Sequence, residues 1–542
     1  MKEPAGVIQC VLDVHPRFYL EALRWYASAT EIAGIDPHDL RVKIVGQPRA
    51  DVADFLRERG VCVQAVEEFD TRSLGYTNKI SGALRLCRER FDGVAVLGDA
   101  DLLICEDPRS IALPADSVGM NPVDHERPSM AVLRSVFAAA KLPEPPPVDL
   151  PLLPGAQTLT GNGNGGLYVV PAGILPALAQ AWARWARWLL DRPELLGLWA
   201  SHVDQVGMAL AVASEGIGVV RLGTRWNAPI HFPELADAQT EPPAIIHYHQ
   251  RLDEFAQVKG VGIGFVDTVV DRANAASAKV WQQSFPSETF WNWRYVTDPE
   301  LGPGEASRGR ALYRKRQLLK MVLRAVEPAS VLDVGCGDGR VTRRLDMAGY
   351  TGLDLAAAAV KRAREDRPDR TFVVGDPVEM NVEADLVVCL DVLTHQADAR
   401  YYGRLVESLL ACARRGLLVS GYEREPVGPR PPIDFFHEAL SVTLARLGTN
   451  IEVRHMWDDK DVATVLVSRA PLVDDLAGYG RDSLSVWALA AGDALGRLGG
   501  RIRVAASAGA AGRLWQRLRR PAGVMRSGSR PSPRLPEGPP PP

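Results

Sequence analysis

The chain has 542 residues, room for about three or four domains at roughly 150 residues each. Hydrophobic residues make up 46% and charged residues 24%, which excludes a disordered or fibrous chain. The 63 Lys and Arg against 66 Asp and Glu leave a net charge of −3, so no global field points to nucleic acid.

The N-terminal stretch MKEPAGVIQCVLDV has a single Lys and then a strand-like run, which is not the form of a secretory signal. From there to about residue 280, strand-like runs (GVIQCVLDV, LRVKIVG, VCVQAV) alternate with helical ones (FYLEALRWYASATEIAG, DVADFLRERG). That rhythm predicts βαβ units around a mostly parallel sheet. Residues 142–166, Pro-rich and then Gly/Asn-rich, interrupt it as a long loop. The run Val94–Leu97 leads directly into Asp99 and Asp101. Residues two apart in an extended segment share a face, so both carboxylates enter one crevice, where hard oxygen ligands suit Mg²⁺ or Mn²⁺ and the phosphates of a nucleotide. Asp204 and Gln205 open a predicted helix, where they can act as its cap.

These motifs, in this order, resemble the GT-A-fold glycosyltransferases (nucleotide-diphospho-sugar transferases) of the glycogenin-like and lipopolysaccharide galactosyltransferase-like type. The resemblance is carried by GYTNKISGALRL, the Asp-x-Asp, GNGNGGLYVV, HVDQVGMALAV, RLGTRWNAP and AIIHYH. It implies a nucleotide-sugar donor whose diphosphate meets Lys79 and a divalent cation on Asp99, Asp101 and one histidine. It also places Asp204 and Gln205 near the reacting sugar. His247 and His249 alternate along a strand and so are expected on opposite faces; one of them is the ligand, with His247 the choice.

A second α/β unit is expected over 286–470. In SVLDVGCGDGRVTRRL a buried strand runs into Gly335, Gly337 and Gly339, followed by a predicted helix. Glycines there allow a tight turn and close approach of a ligand to the backbone. A dinucleotide fingerprint needs G-x-G-x-x-G with its acid about 20 residues on. Here the spacing is G-x-G-x-G and Asp354 follows Gly339 by only 15 residues, which argues against an NAD-dependent oxidoreductase. The segment resembles motif I of class I S-adenosylmethionine-dependent methyltransferases. That resemblance implies that Asp333 and the glycines surround the methionyl part of the cofactor. Asp354 then accepts from the ribose hydroxyls, Asp376 lies near the adenine, and ADLVVCLDVLTH lines the methyl-transfer face. Trp291, Arg294, Tyr295 and Ser307 belong to a flap over the cofactor. For an O-methylation the base is open among Asp391, His395 and His437.

Seven cysteines, never in C-x-x-C spacing, argue against a disulfide framework or thiolate zinc site and for a reducing, cytoplasmic setting. Residues 471–542 read as a helical and then disordered tail; from 501 on, nine arginines against Glu537 give a local charge of +8, an expected peripheral membrane contact. The expectation is therefore a GT-A-like domain (1–280), a Rossmann-like class I methyltransferase domain (286–470) and a tail (471–542). Its function would be glycosyl transfer coupled to methylation of the sugar or of a glycan or small-molecule acceptor, with no nucleic-acid partner. The alternative keeps only the methyltransferase active beside a degenerate sugar-nucleotide module.

Overall fold

In the chain's computed structural model the described residues are 5–469, apart from 74, 236–238, 299, 301, 380–381 and 429. The expected tail, 471–542, lies outside them. The first half opens with β1 (Gly6–Leu12), α1 (Pro16–Glu31), β2 (Leu40–Val45), α2 (Ala50–Glu58), β3 (Cys62–Val66), α3 (Asn78–Leu86) and β4 (Val94–Gly98). These four strands pair in parallel in the order β3-β2-β1-β4. Val7, Ile8, Cys10 and Leu12 of β1 are all buried, as a parallel strand covered on both faces requires.

The sheet then changes character. Next come β5 (Leu102–Ile104), β6 (Ser117–Pro122), α4 (Met130–Ala140), β7 (Pro147–Asp149), β8 (Gln157–Leu159), β9 (Gly163–Pro171), α5 (Leu175–Leu190), α6 (Val203–Glu215) and β10 (Gly218–Arg221). Strand β9 runs antiparallel between β4 and β6, and β10 closes the edge beside β6. A second, three-stranded sheet joins β11 (Ala228–Pro229), β12 (Ile245–His247) and β5, with β12 antiparallel to β5. The loop expected at 142–166 is therefore partly strand. Residues β7 and β8 form a hairpin, and Gly163–Gly166 already belong to buried β9, where the glycines admit neighbouring side chains.

Helices α7 (Gly264–Gln283), α8 (Ser287–Thr297) and α9 (Gly309–Val326) lead into the second large sheet. It comprises β13 (Val331–Val334), β14 (Tyr350–Asp354), α10 (Ala357–Asp366), β15 (Thr371–Val374), β16 (Ala384–Cys389), α11 (Ala399–Cys412), β17 (Ala413–Tyr422), α12 (Leu440–Leu447), β18 (Glu452–Asp459) and β19 (Val462–Ser468). The order is β15-β14-β13-β16-β17-β19-β18, parallel except for β19, which is antiparallel to both neighbours. Strand order reverses at β13, the place where open α/β sheets bind ligands.

The helix expected after the glycine loop does not form; residues 335–349 are turns. Carbonyls that a helix would use internally accept side-chain donors instead. Arg316 takes those of Arg340 and Val341, Arg367 that of Arg343, and Arg370 those of Thr342 and Leu345. The two halves share a core: one apolar cluster runs from Ile8 and Trp25 through Trp281, Phe290 and Trp293 to Ile433.

Candidate active sites

A cavity of about 960 Å³ opens at the carboxyl end of β13. Gly335, Gly337 and Gly339 there have φ of 72°, 55° and 69°, a region other residues rarely enter. A Cβ on Gly335 would overlap the Val392 side chain, and one on Gly337 would lie 2.5 Å from the Tyr295 hydroxyl. Asp354, at the end of β14, accepts from Gly337 N and Ala356 N, both at 2.8 Å, one on each oxygen. Buried Asp333 accepts from the Tyr350 hydroxyl at 2.7 Å, and burial pushes its carboxyl up to about 6. Asp333, Asp354, Trp291, Arg294, Tyr295 and Ser307 all line the cavity. Asp376 does not. Its carboxylate accepts from Tyr401 Oη at 2.6 Å and Val378 N at 2.8 Å, and Tyr401 lines the wall in its place.

Residues 331–416 match the family described as a methyltransferase domain. The second large sheet is a class I methyltransferase domain. Its relatives include the phthiotriol/phenolphthiotriol dimycocerosates methyltransferase of Mycobacterium tuberculosis, 34% identical over 131 residues, covering 20% of this chain and 47% of the relative. The protein of that name from Mycobacterium leprae is 32% identical over 136 residues, with coverages of 21% and 49%. The chain thus spans about half the length of the curated relatives it matches. Among solved structures, magnesium protoporphyrin IX methyltransferase from Synechocystis PCC 6803 with bound SAM is 20% identical. The match covers 36% of this chain and 97% of that one, with a TM-score of 0.26. The SAM-bound amino pentose methyltransferase of Micromonospora echinaspora is 17% identical, with coverages of 32% and 97% and a TM-score of 0.26.

The cavity of the methyltransferase domain fits S-adenosylmethionine chemically. Each Asp354 oxygen already accepts one N–H and keeps a lone pair for a vicinal diol. Arg308, before α9, was not singled out in the sequence. Its Nε and Nη2 are buried and without a hydrogen-bond partner, and it lines the same cavity, near enough to Arg294 for the two guanidiniums to repel. The orphaned donors call for an anion, and the methionyl carboxylate is the anion the cofactor carries.

On the acceptor side, Asp391 has a φ of 62° and its carboxylate is committed to an ion pair with Lys315 of α9. His395 is arranged differently: Nδ1 lies 3.0 Å from the Ile433 carbonyl oxygen and 3.1 Å from Asp434 Oδ1. A carbonyl oxygen can only accept, so Nδ1 carries the proton and the lone pair of the neutral ring sits on Nε2. His437 is set aside from the cavity, its Nε2 bound to the Gln396 carbonyl at 2.8 Å.

The second cluster stands at the end of β4. Asp99 and Asp101 face His247 of β12 at 4.0 and 3.3 Å, because β12 pairs antiparallel with β5 directly after the acids. The expectation that His247 and His249 point to opposite faces is corrected. The strand ends at His247 and His249 has a φ of 50°, which returns its ring to the same side. The two rings stack with centroids 3.9 Å apart, and His249 Nδ1 is 3.8 Å from Asp101. His231, absent from the sequence reading, lies 3.8 Å from His249, ring to ring. One ligand atom each from Asp101, His247 and His249 falls within 4.8 Å of the others.

Electrostatics suit a cation there. Burial would raise Asp101, but the charge and hydrogen bond of His247 hold it well below the carboxylate range. Burial and the neighbouring His247 push His249 down to about 2 and His231 to about 4, so both rings are neutral, the form that ligates metals. Nδ1 of His247, Nε2 of His249 and Nδ1 of His231 are buried with no hydrogen-bond partner, while His247 Nε2 faces Asp101 at 3.3 Å. This donor set fits a divalent ion, and its imidazoles favour Mn²⁺ over Mg²⁺. Lys79 bonds Asp99 at 2.7 Å and the Gly165 carbonyl. Asp204, in the first turn of α6, is buried beside it and pushed up to about 6 by that burial, with Lys79 opposing. A Cβ on Gly165 would lie 3.2 Å from both Asp204 and Lys79, and one on Gly166 would lie 2.6 Å from His247; hence the glycines. Gln205 presents a buried, unpartnered Oε1.

Proposed function

We propose that the methyltransferase domain O-methylates a hydroxyl acceptor, with His395 as the base and Asp434 orienting it. The observation that carries this is the proton held on His395 Nδ1 by a carbonyl and a carboxylate, which leaves Nε2 basic. S-adenosylmethionine supplies an activated methyl group when bound. Asp354 would fix the ribose, Asp333 and the glycine turns would surround the methionyl part, Arg308 would hold its carboxylate, and His395 would remove the acceptor's proton as the new bond forms. The test incubates the protein with S-adenosylmethionine and a panel of glycosides, reading methyl mass shifts. His395→Ala should lower methyl transfer about 10²–10³-fold while S-adenosylhomocysteine still binds. Equal loss of cofactor binding would refute the role.

For the first half we propose metal-dependent glycosyl transfer from a nucleotide sugar, the sugar or its acceptor then being the methylated hydroxyl. Supporting this are the β3-β2-β1-β4 order, the antiparallel β9 and the small sheet that sets Asp99 and Asp101 against His247, His249 and His231. The cation would rest on Asp101 and the histidines, with Asp99 alongside, and would offset charge on a departing diphosphate. In this reading Asp204 and Gln205 would meet the donor sugar. The ion pair of Lys79 with Asp99 favours the second reading, a sugar-nucleotide module without turnover. Mn²⁺-dependent transfer or hydrolysis of a nucleotide sugar, abolished in Asp99→Asn/Asp101→Asn, decides between them. No described helix is long and apolar enough to cross a membrane, and the basic segment proposed to touch one lies outside the described residues.

A further inference from the structure

Helix α8 belongs to neither sheet, yet it roofs the methyl-donor cavity through Trp291, Arg294 and Tyr295. The first N–H groups of a helix lack intrahelical partners and are usually satisfied by a capping side chain. The capping position of α8 is Pro286, which has no side-chain acceptor. The partner comes from the other half of the molecule. Asp51, in the first turn of α2, accepts from Thr289 N at 2.9 Å and from Thr289 Oγ1 at 2.8 Å. Its carboxylate also meets the positive end of the α8 dipole. Arg49 lies 3.7 Å from Glu288, and Phe290 packs on Trp281 and Phe285.

From that fixed end α8 reaches across. The Trp291 ring is edge-on to His395 at 5.2 Å, Asn292 Oδ1 accepts from Ala358 N at 3.0 Å, and the Tyr295 hydroxyl abuts Gly337. A helix is a stiff rod rising 1.5 Å per residue, so the six residues from Thr289 to Tyr295 carry any displacement over about 9 Å into the glycine turn. We propose that Asp51 is a positioning residue for methyl-donor binding: the N-terminal domain sets the roof of the methyltransferase cavity. The inference rests on the methyltransferase reading and is independent of whether the first half transfers sugar.

The experiment uses the full chain and S-adenosylhomocysteine, with calorimetry for affinity and hydrogen exchange for α8. Asp51→Ala should weaken binding about tenfold. Asp51→Asn, which keeps one acceptor oxygen, should recover part of it, to about threefold. Exchange should rise in 289–296 and not in 331–334. A folded Asp51→Ala protein with unchanged affinity would overturn the proposal. Should Asp51→Ala fail to fold, Thr289→Val removes only the hydroxyl bond; about threefold weaker binding then supports the proposal and unchanged affinity overturns it. Absence of binding to the unmodified chain would overturn the donor reading itself, and this one with it.

Discussion

Arg308→Ala separates recognition of the donor's amino-acid end from recognition of its nucleoside. Nε and Nη2 of Arg308 are buried in the donor cavity without partners. A hydrogen bond to a charged group contributes about 1.5–3 kcal/mol, and one donor pair on a carboxylate therefore about 3 kcal/mol after mutual desolvation, near 100-fold in affinity. Calorimetry with S-adenosylhomocysteine should show that loss. 5′-Methylthioadenosine, which lacks the carboxylate, should bind the variant within twofold of the parent. Equal weakening of both ligands, or unchanged binding of S-adenosylhomocysteine, would refute a carboxylate contact at Arg308.

Gly335→Ala places a methyl group into Val392 at a φ of 72° and should abolish S-adenosylhomocysteine binding in calorimetry, with a stability loss of about 1–2 kcal/mol from the left-handed backbone alone. Asp333 is raised from 3.8 to about 6 by burial, so its neutral form favours the fold and that stability is lost as pH rises through 6. Asp333→Asn should therefore gain on the parent by about 3 kcal/mol between pH 4 and 7 in denaturant titrations; a pH-independent difference would contradict it. Mn²⁺ at about 100 times its dissociation constant should stabilise the chain by about 2.7 kcal/mol in thermal melts. His249→Ala should remove much of this, whereas an undiminished shift would exclude His249 as a ligand.

The strand-forming runs, the Asp-x-Asp and the glycine turn were legible because each is local. Apolar runs imply buried strands, and G-x-G-x-G with Asp354 at its spacing already separates this site from a dinucleotide fold. Local signals misled where a long-range partner intervened. Arg316, Arg367 and Arg370 take the carbonyls that a helix after Gly339 needed, and a single left-handed residue at His249 undid the alternation of a strand. His231, Arg308 and Asp434 carry no motif, since their roles arise from where distant segments meet. Asp376 matched its motif but bonds Tyr401 across the fold.

By itself the sequence determined two α/β units, the methyl-donor turn and the acidic pair, all set by patterns within about 20 residues. Only the tertiary structure decided which histidines gather at Asp101, which tautomer His395 holds, and that Asp51 caps a helix 238 residues away. Hydrogen-bond valence and burial are properties of neighbours in space, and the order of residues along the chain does not state them.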